Sequence, residues 1–138
     1  MEKVFVDTDI ILDLLAQREP HYQYSAKVFS MADLGEIKLC VSSLSFSNLN
    51  YILSKQFTSE QARKKLLTFK ALVTVLNVSD KSVDLALNSD FQDFEDALQY
   101  FTALESKIST LLTRNLKDYK KADISVLTAE QYIKSRTR

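Results

Sequence analysis

The chain has 138 residues, 46% of them hydrophobic and 26% charged, with 18 basic side chains balanced by 18 acidic ones. That length fits a single domain over 1–138, and the absence of net charge excludes a protein whose whole surface grips nucleic acid. One Cys, one Gly and one Pro exclude an internal disulfide, a cysteine-based zinc site and any linker-rich or collagen-like organisation. The N-terminus has no signal-peptide pattern and no apolar run approaches the ~20 residues that span a bilayer. A cytoplasmic protein with no membrane partner is therefore expected.

Val4-Phe5-Val6 reads as a short buried strand that stops at Asp7-Thr8-Asp9. Asp7 or Asp9 can cap the helix that follows, whose apolar face is Ile10, Ile11, Leu14 and Leu15. Pro20 marks the next helix start; Tyr24, Val28, Phe29 and Met31 form its apolar face, and Gly35 is its stop. Ile37 to Val41 is the second strand, and Ser45 is expected to cap a helix bearing Phe46, Leu49, Ile52 and Leu53. Thr58 with Gln61 makes a capping-box pattern for a helix through Arg63 and Leu67. The β-branched run Val73 to Val78 is the third strand, and Ser79 or Asp80 caps a short helix over Val83 to Leu87.

A further helix is expected from Asp93 to Glu105, with Phe94, Ala97, Leu98, Phe101 and Leu104 as its buried face. Ile108 to Leu112 and Ile124 to Leu127 are the last two strands, and one helical turn suffices to cross between them. Thr128 caps a final helix, whose Lys134, Arg136 and Arg138 suit a helix C-terminus. Tyr22, Tyr24, Phe29, Phe46 and Tyr51 recur at helical spacing and read as core. Strands separated by helices predict a parallel five-stranded sheet covered on both faces, a three-layer α/β/α sandwich.

The acidic residues carry the chemistry. Asp7 and Asp9 end the first strand, and Asp93 and Asp96 lie three apart in the first turn of the helix before strand four. Asp118 follows strand four. Each alone has a plainer reading as a helix cap, a partner of the helix dipole or a loop residue. Together they meet at one carboxyl edge if strands one and four are neighbours, which predicts the order 3-2-1-4-5 with the reversal between them. Clustered carboxylates raise one another's pKa and recruit a proton or a hard divalent ion, Mg²⁺ or Mn²⁺. Such ions promote hydrolysis of phosphodiesters. Arg114, Lys117, Lys120 and Lys121 surround Asp118 and offer a local basic rim for a nucleic-acid backbone.

Val6-Asp7-Thr8-Asp9 before Ile10-Ile11-Leu12, then Ser42-Ser43 entering a helix, Asp96-Ala97-Leu98, and Thr113-Arg114-Asn115 with Asp118-Tyr119 form an ordered set. That set resembles the PIN-domain nucleases, especially the toxins of VapC-type toxin–antitoxin pairs. The resemblance implies a Mg²⁺- or Mn²⁺-dependent endoribonuclease acting on RNA, a homodimer paired with a small antitoxin. It carries Asp7, Asp96 and Asp118 over as catalytic and metal-holding residues, with Asp93, Asp9 and Asn48 as further metal contacts. Thr113, Arg114, Asn115 and Lys117 are read as the substrate-binding segment. Asn48 stands where the family has Glu, and the lost charge implies reduced activity. Two other readings remain open: a non-catalytic binding module that keeps the PIN fold, and a haloacid-dehalogenase-type phosphatase built on Asp7 and Asp9 with Lys81.

Overall fold

In the computed structural model, which describes residues 1–136, strand β1 (Lys3–Val6) is central and its last three residues are fully buried. Parallel neighbours flank it on both sides: β2 (Lys38–Ser42) pairs Cys40 with Phe5, and β4 (Thr110–Leu112) pairs Leu111 with Phe5. Outside them lie β3 (Thr74–Leu76) and β5 (Ser125–Leu127), so the order is β3-β2-β1-β4-β5. A strand buried on both faces must be apolar at every position. Val4 and Val6 point one way with Leu39, Val41 and Leu112, while Phe5 points the other way with Cys40 and Leu111.

The Val4 face is covered by α1 (Thr8–Leu15), α2 (Tyr22–Asp33), α3 (Ser43–Gln56), α4 (Ser59–Lys70) and α7 (Ala129–Arg136), whose apolar residues form the larger core. Phe69 sits there against Phe29 and Phe46, with ring centroids 5.6 and 5.8 Å away. On the Phe5 face lies α6 (Phe94–Glu105), with α5 (Asp80–Leu87) packed on it. This is the expected α/β/α sandwich. The β4–β5 crossover is the single 3₁₀ turn Leu116–Tyr119.

Local chemistry sets the helix ends. Asp7, Thr58, Ser79 and Asp93 each cap a helix with a side-chain oxygen, and Thr58 with Gln61 completes the reciprocal capping box. Gly35, just past α2, has φ +78°, a left-handed backbone that suits glycine.

Several expectations shift. Ser42, not Ser45, is the α3 cap, because its extended backbone ends the strand directly into the helix. Ser45 lies inside the first turn, fully buried, with its hydroxyl engaged in a polar network. β3, β4 and β5 span only three residues each, so Val73, Asn77, Val78, Ile108, Ser109 and Ile124 fall outside them. On α6 the buried stripe is Ala97, Leu98, Tyr100 and Ala103 with polar Gln99 and Thr102; Phe94 and Leu104 are exposed at its rim. Tyr51 is 62% exposed rather than core. Arg138 lies outside the described residues. No helix among the described residues is long and apolar enough to cross a membrane.

Candidate active site

β1 and β4 are neighbours with opposite crossover directions, so the loops after them open a crevice at the carboxyl edge. The Asp7 backbone N–H donates to the Leu112 carbonyl at 2.9 Å, tying the end of β1 to the end of β4. Its carboxylate is 6% exposed and is held at both oxygens. Thr8 N–H donates to Oδ1 at 2.7 Å; the Thr113 hydroxyl at 2.9 Å and the Tyr119 hydroxyl at 3.1 Å both approach Oδ2. The same Tyr119 hydroxyl lies 3.3 Å from Asp96 Oδ1. Its single proton is shared between two carboxylates from two different elements.

Burial, then the charge of Asp9, pushes the Asp7 carboxyl up to about 7. Burial, then the charges of Asp7, Asp93 and Asp118, pushes Asp96 up to about 7 as well. The Tyr119 hydroxyl is driven far above its ordinary range by burial and the adjacent Asp7 and Asp96 charges, so it remains a proton donor.

Asp9 is also raised, chiefly by burial, although its Oδ2 accepts the Arg114 backbone N–H at 2.9 Å. Its Oδ1 is buried with no hydrogen-bond partner. Asp93 caps α6 by accepting Asp96 N–H at 2.9 Å, and exposed Asp118 stands on the 3₁₀ turn. Asp7, Asp9, Asp93, Asp96 and Asp118 line one cleft of about 300 Å³, together with Asn115 and Glu95.

Beneath the cleft, the buried Gln99 side chain joins three elements. Its Oε1 accepts the Ser42 hydroxyl at 2.6 Å, and its Nε2 donates to Ser45 Oγ at 3.0 Å and Thr8 Oγ1 at 3.3 Å. Thr8 and Ser45 also hydrogen-bond each other at 2.9 Å. Every polar end of this glutamine is used, which fixes the N-termini of α1 and α3 against α6.

Thr113 is fully buried and donates to Asp7, so it positions a carboxylate rather than contacting substrate as expected. Arg114 also differs from expectation. Its guanidinium is held by Asp13, with Nε to Oδ2 at 2.8 Å and the second contact at 3.1 Å. Asp13 is 0% exposed, and a buried carboxylate needs this bidentate partner. Lys117, Lys120 and Lys121 remain at the edge beside Asp118 and line an adjoining hollow. Asn48 does not line the cleft itself; its Nδ2 donates to Glu95 on α6, which does. His21 lines a separate cavity of about 310 Å³ with Asp13 and Arg114.

Sequence reasoning misses Asp13, Glu95, Gln99 and the bridging role of Tyr119. Asp13 carries the one available signal, a carboxylate one turn beyond Asp9 on an otherwise apolar face.

The donor set fits a hard divalent cation. It is made of carboxylate oxygens, one of them buried and unpartnered, and burial together with neighbouring like charge raises Asp7 and Asp96, a condition that a bound cation relieves. Among the described residues, no three acidic, histidine or cysteine side chains already form a finished cage, so closing around an ion needs side-chain adjustment.

Comparison with known proteins agrees with this geometry. A family model described as "PIN domain" matches residues 3–117. Ribonuclease VapC1 of Aquifex aeolicus (strain VF5) is 30% identical over 139 residues, covering 95% of this chain and 93% of that protein. Among solved structures, DNA-bound VapBC from Salmonella typhimurium superposes with a TM-score of 0.71 at 16% identity, over 94% of this chain and 99% of that one. VapBC2 from Rickettsia felis, bound to a DNA fragment from its promoter, gives 0.69 at 20% identity, over 91% and 96%.

Asp7 and Asp96 have folded values near 7 against an ordinary 3.8, so their stabilising contribution is complete at low pH and is lost as pH rises towards 7. In EDTA, the melting temperature should fall between about pH 5 and about pH 8, and millimolar Mn²⁺ should raise it more at the higher pH. Calorimetry showing a flat profile would contradict the assignment. Arg114→Ala should leave Asp13 buried and unpaired, at a cost of about 3 kcal/mol in urea denaturation. A loss below about 0.5 kcal/mol, the size of an ordinary surface substitution, would show that the pair is not structural.

Proposed function

The chain belongs to the PIN-domain family and is of the VapC ribonuclease type, and from that premise we propose that it is a metal-dependent endoribonuclease. The observation that carries this reading is the convergence of Asp7 and Asp96 on one tyrosine hydroxyl, inside a cleft that Asp118 also lines. Asp7, Asp96 and Asp118 are the residues that would hold Mg²⁺ or Mn²⁺, with Asp9 and Asp93 adding negative charge at the rim. When bound, the cation supplies Lewis-acid polarisation of the phosphodiester and lowers the pKa of an attacking water.

The protein's own residues supply positioning. Thr8 N–H, Thr113 and Tyr119 fix both oxygens of Asp7, and Tyr119 sets Asp96 relative to it. The Gln99 network holds the N-termini of α1 and α3 against α6 beneath the cleft. Lys117, Lys120 and Lys121 draw the RNA backbone to one edge, an attraction that salt weakens. Asn115 and Arg18 line the cleft and remain as polar contacts for RNA there, because Thr113 and the Arg114 guanidinium are engaged elsewhere. The products are a 5′-phosphate and a 3′-hydroxyl.

Asn48 is neutral where the family has Glu, so the α3 side of the cleft attracts a cation less strongly and activity is reduced rather than lost. The physiological setting of this reading is a cytoplasmic toxin, a single PIN-like unit that forms a homodimer and pairs with a small antitoxin. Exposed Leu34 just past α2, Tyr51 on α3 and Leu67 on the adjoining α4 provide apolar surface for such partners. A PIN-fold module that binds without turnover is the competing reading, and Asn48 is the observation in its favour.

End-labelled RNA incubated with purified protein separates the two. Cleavage should require Mn²⁺ or Mg²⁺ and fall on the order of a hundredfold or more in Asp7→Asn and Asp96→Asn. RNA left intact at saturating Mn²⁺, or cut equally well by Asp96→Asn, would end the nuclease reading.

A further inference from the structure

Glu95 is a further carboxylate in this cleft, outside the three assigned above to the cation. It stands in the first turn of α6 between Asp93 and Asp96, and lines the same cleft as Asp7, Asp9 and Asp118. On its other side it accepts a hydrogen bond from Asn48 Nδ2 of α3, 47 residues away in sequence. We propose that Glu95 supplies the cation with the carboxylate that α3 lacks, and that Asn48 is its positioning residue. The proposal rests on the metal-nuclease reading above and adds a ligand to it.

The chemistry of the pair favours this assignment. An asparagine amide has a donor end and an acceptor end, and only the donor end is attracted to a carboxylate. With Nδ2 facing Glu95, Asn48 acts on the carboxylate first. A glutamate at 48 would instead press a second negative charge against Glu95, so positions 48 and 95 are alternatives for one charge. Asn48 with Glu95 gives the cleft the same charge as a glutamate at 48 with a neutral residue at 95. A Glu in the first turn of a helix also favours the positive end of the helix dipole. That role alone needs no contact with α3 and no place in the cleft. The buried, unpartnered Asp9 Oδ1 in the same cleft is an independent sign that these carboxylates are arranged for a positive charge.

The relocation bears on the expected deficit. The charge removed from α3 returns from α6 on a longer side chain held by one solvent-accessible hydrogen bond. Cation affinity is then lowered by looser positioning, not by a missing charge.

Mn²⁺ binding to the full chain, measured by calorimetry and by the loss of the free-Mn²⁺ electron paramagnetic resonance signal, tests this without any RNA. Glu95→Gln keeps an oxygen for the Asn48 donor and removes only the charge, so folding should be retained. It should weaken Mn²⁺ binding on the order of tenfold. The double variant Asn48→Glu with Glu95→Gln should recover most of that loss. If Glu95→Gln binds Mn²⁺ as tightly as the parent while Asp96→Asn does not bind, Glu95 is not a ligand and the nuclease reading stands without it. Weakening that the double variant fails to recover overturns the exchange of positions. If the parent binds no Mn²⁺ at millimolar concentration, the metal-nuclease reading falls and takes this proposal with it.

Discussion

Asp7 ends the central strand with its carboxylate almost wholly out of water, and much of the surrounding structure meets the demands of that one group. Moving an ionised carboxylate from water into protein is costly unless hydrogen bonds or a counter-charge replace hydration. Here three donors arrive from three places: the backbone of Thr8 in α1, the hydroxyl of Thr113 after β4, and the hydroxyl of Tyr119 from the crossover turn. They do not restore an ordinary carboxyl, since its pKa is still pushed up to about 7. The shortfall comes first from burial and then from the like charge of Asp9. A divalent cation held there would offset it, and the proposed metal role rests on that match.

Tyr119 turns that local problem into a global arrangement. Its ring packs edge-on against Phe91, with centroids 6.0 Å apart, while its hydroxyl reaches both Asp7 and Asp96. The residue therefore links the 3₁₀ crossover, the central strand and α6 through one buried side chain. Gln99 does the corresponding work beneath, joining the ends of β2 and the starts of α1 and α3 to α6. Both are polar groups in an apolar interior with partners for their key atoms, the condition under which a buried polar network specifies one arrangement.

The fold was largely legible because each strand is a short apolar run beside a strong helix signal. Val4 to Val6 running into Asp7, and Thr58 paired with Gln61, are local patterns whose physics does not depend on the rest of the chain. Failures occur where tertiary contacts override local preference. Ser45 looks like a cap but is claimed by Gln99 and Thr8. Phe94 looks like core but lies beyond the edge that α5 and the sheet cover. In the site, the acids at strand ends could be found from their positions. Asp13 and Glu95 could not be given roles, because each depends on a partner far away in sequence: Arg114 across 101 residues and Asn48 across 47. Arg114, read as a free phosphate contact, is diverted for the same reason.

Asp7, Asp96 and Asp118 are proposed to surround one cation position at the junction of β1 and β4. Crystals grown with Mn²⁺, measured on both sides of the manganese absorption edge, locate the ion by anomalous scattering without assumptions about the ligands. A peak is expected in this cleft, with carboxylate oxygens of Asp7 and Asp96 at about 2.0–2.3 Å, near the distances of Mg²⁺ and Ca²⁺ ligands. A fully occupied Mn²⁺ elsewhere, with Tyr119 still bridging an ion-free Asp7 and Asp96, would contradict it.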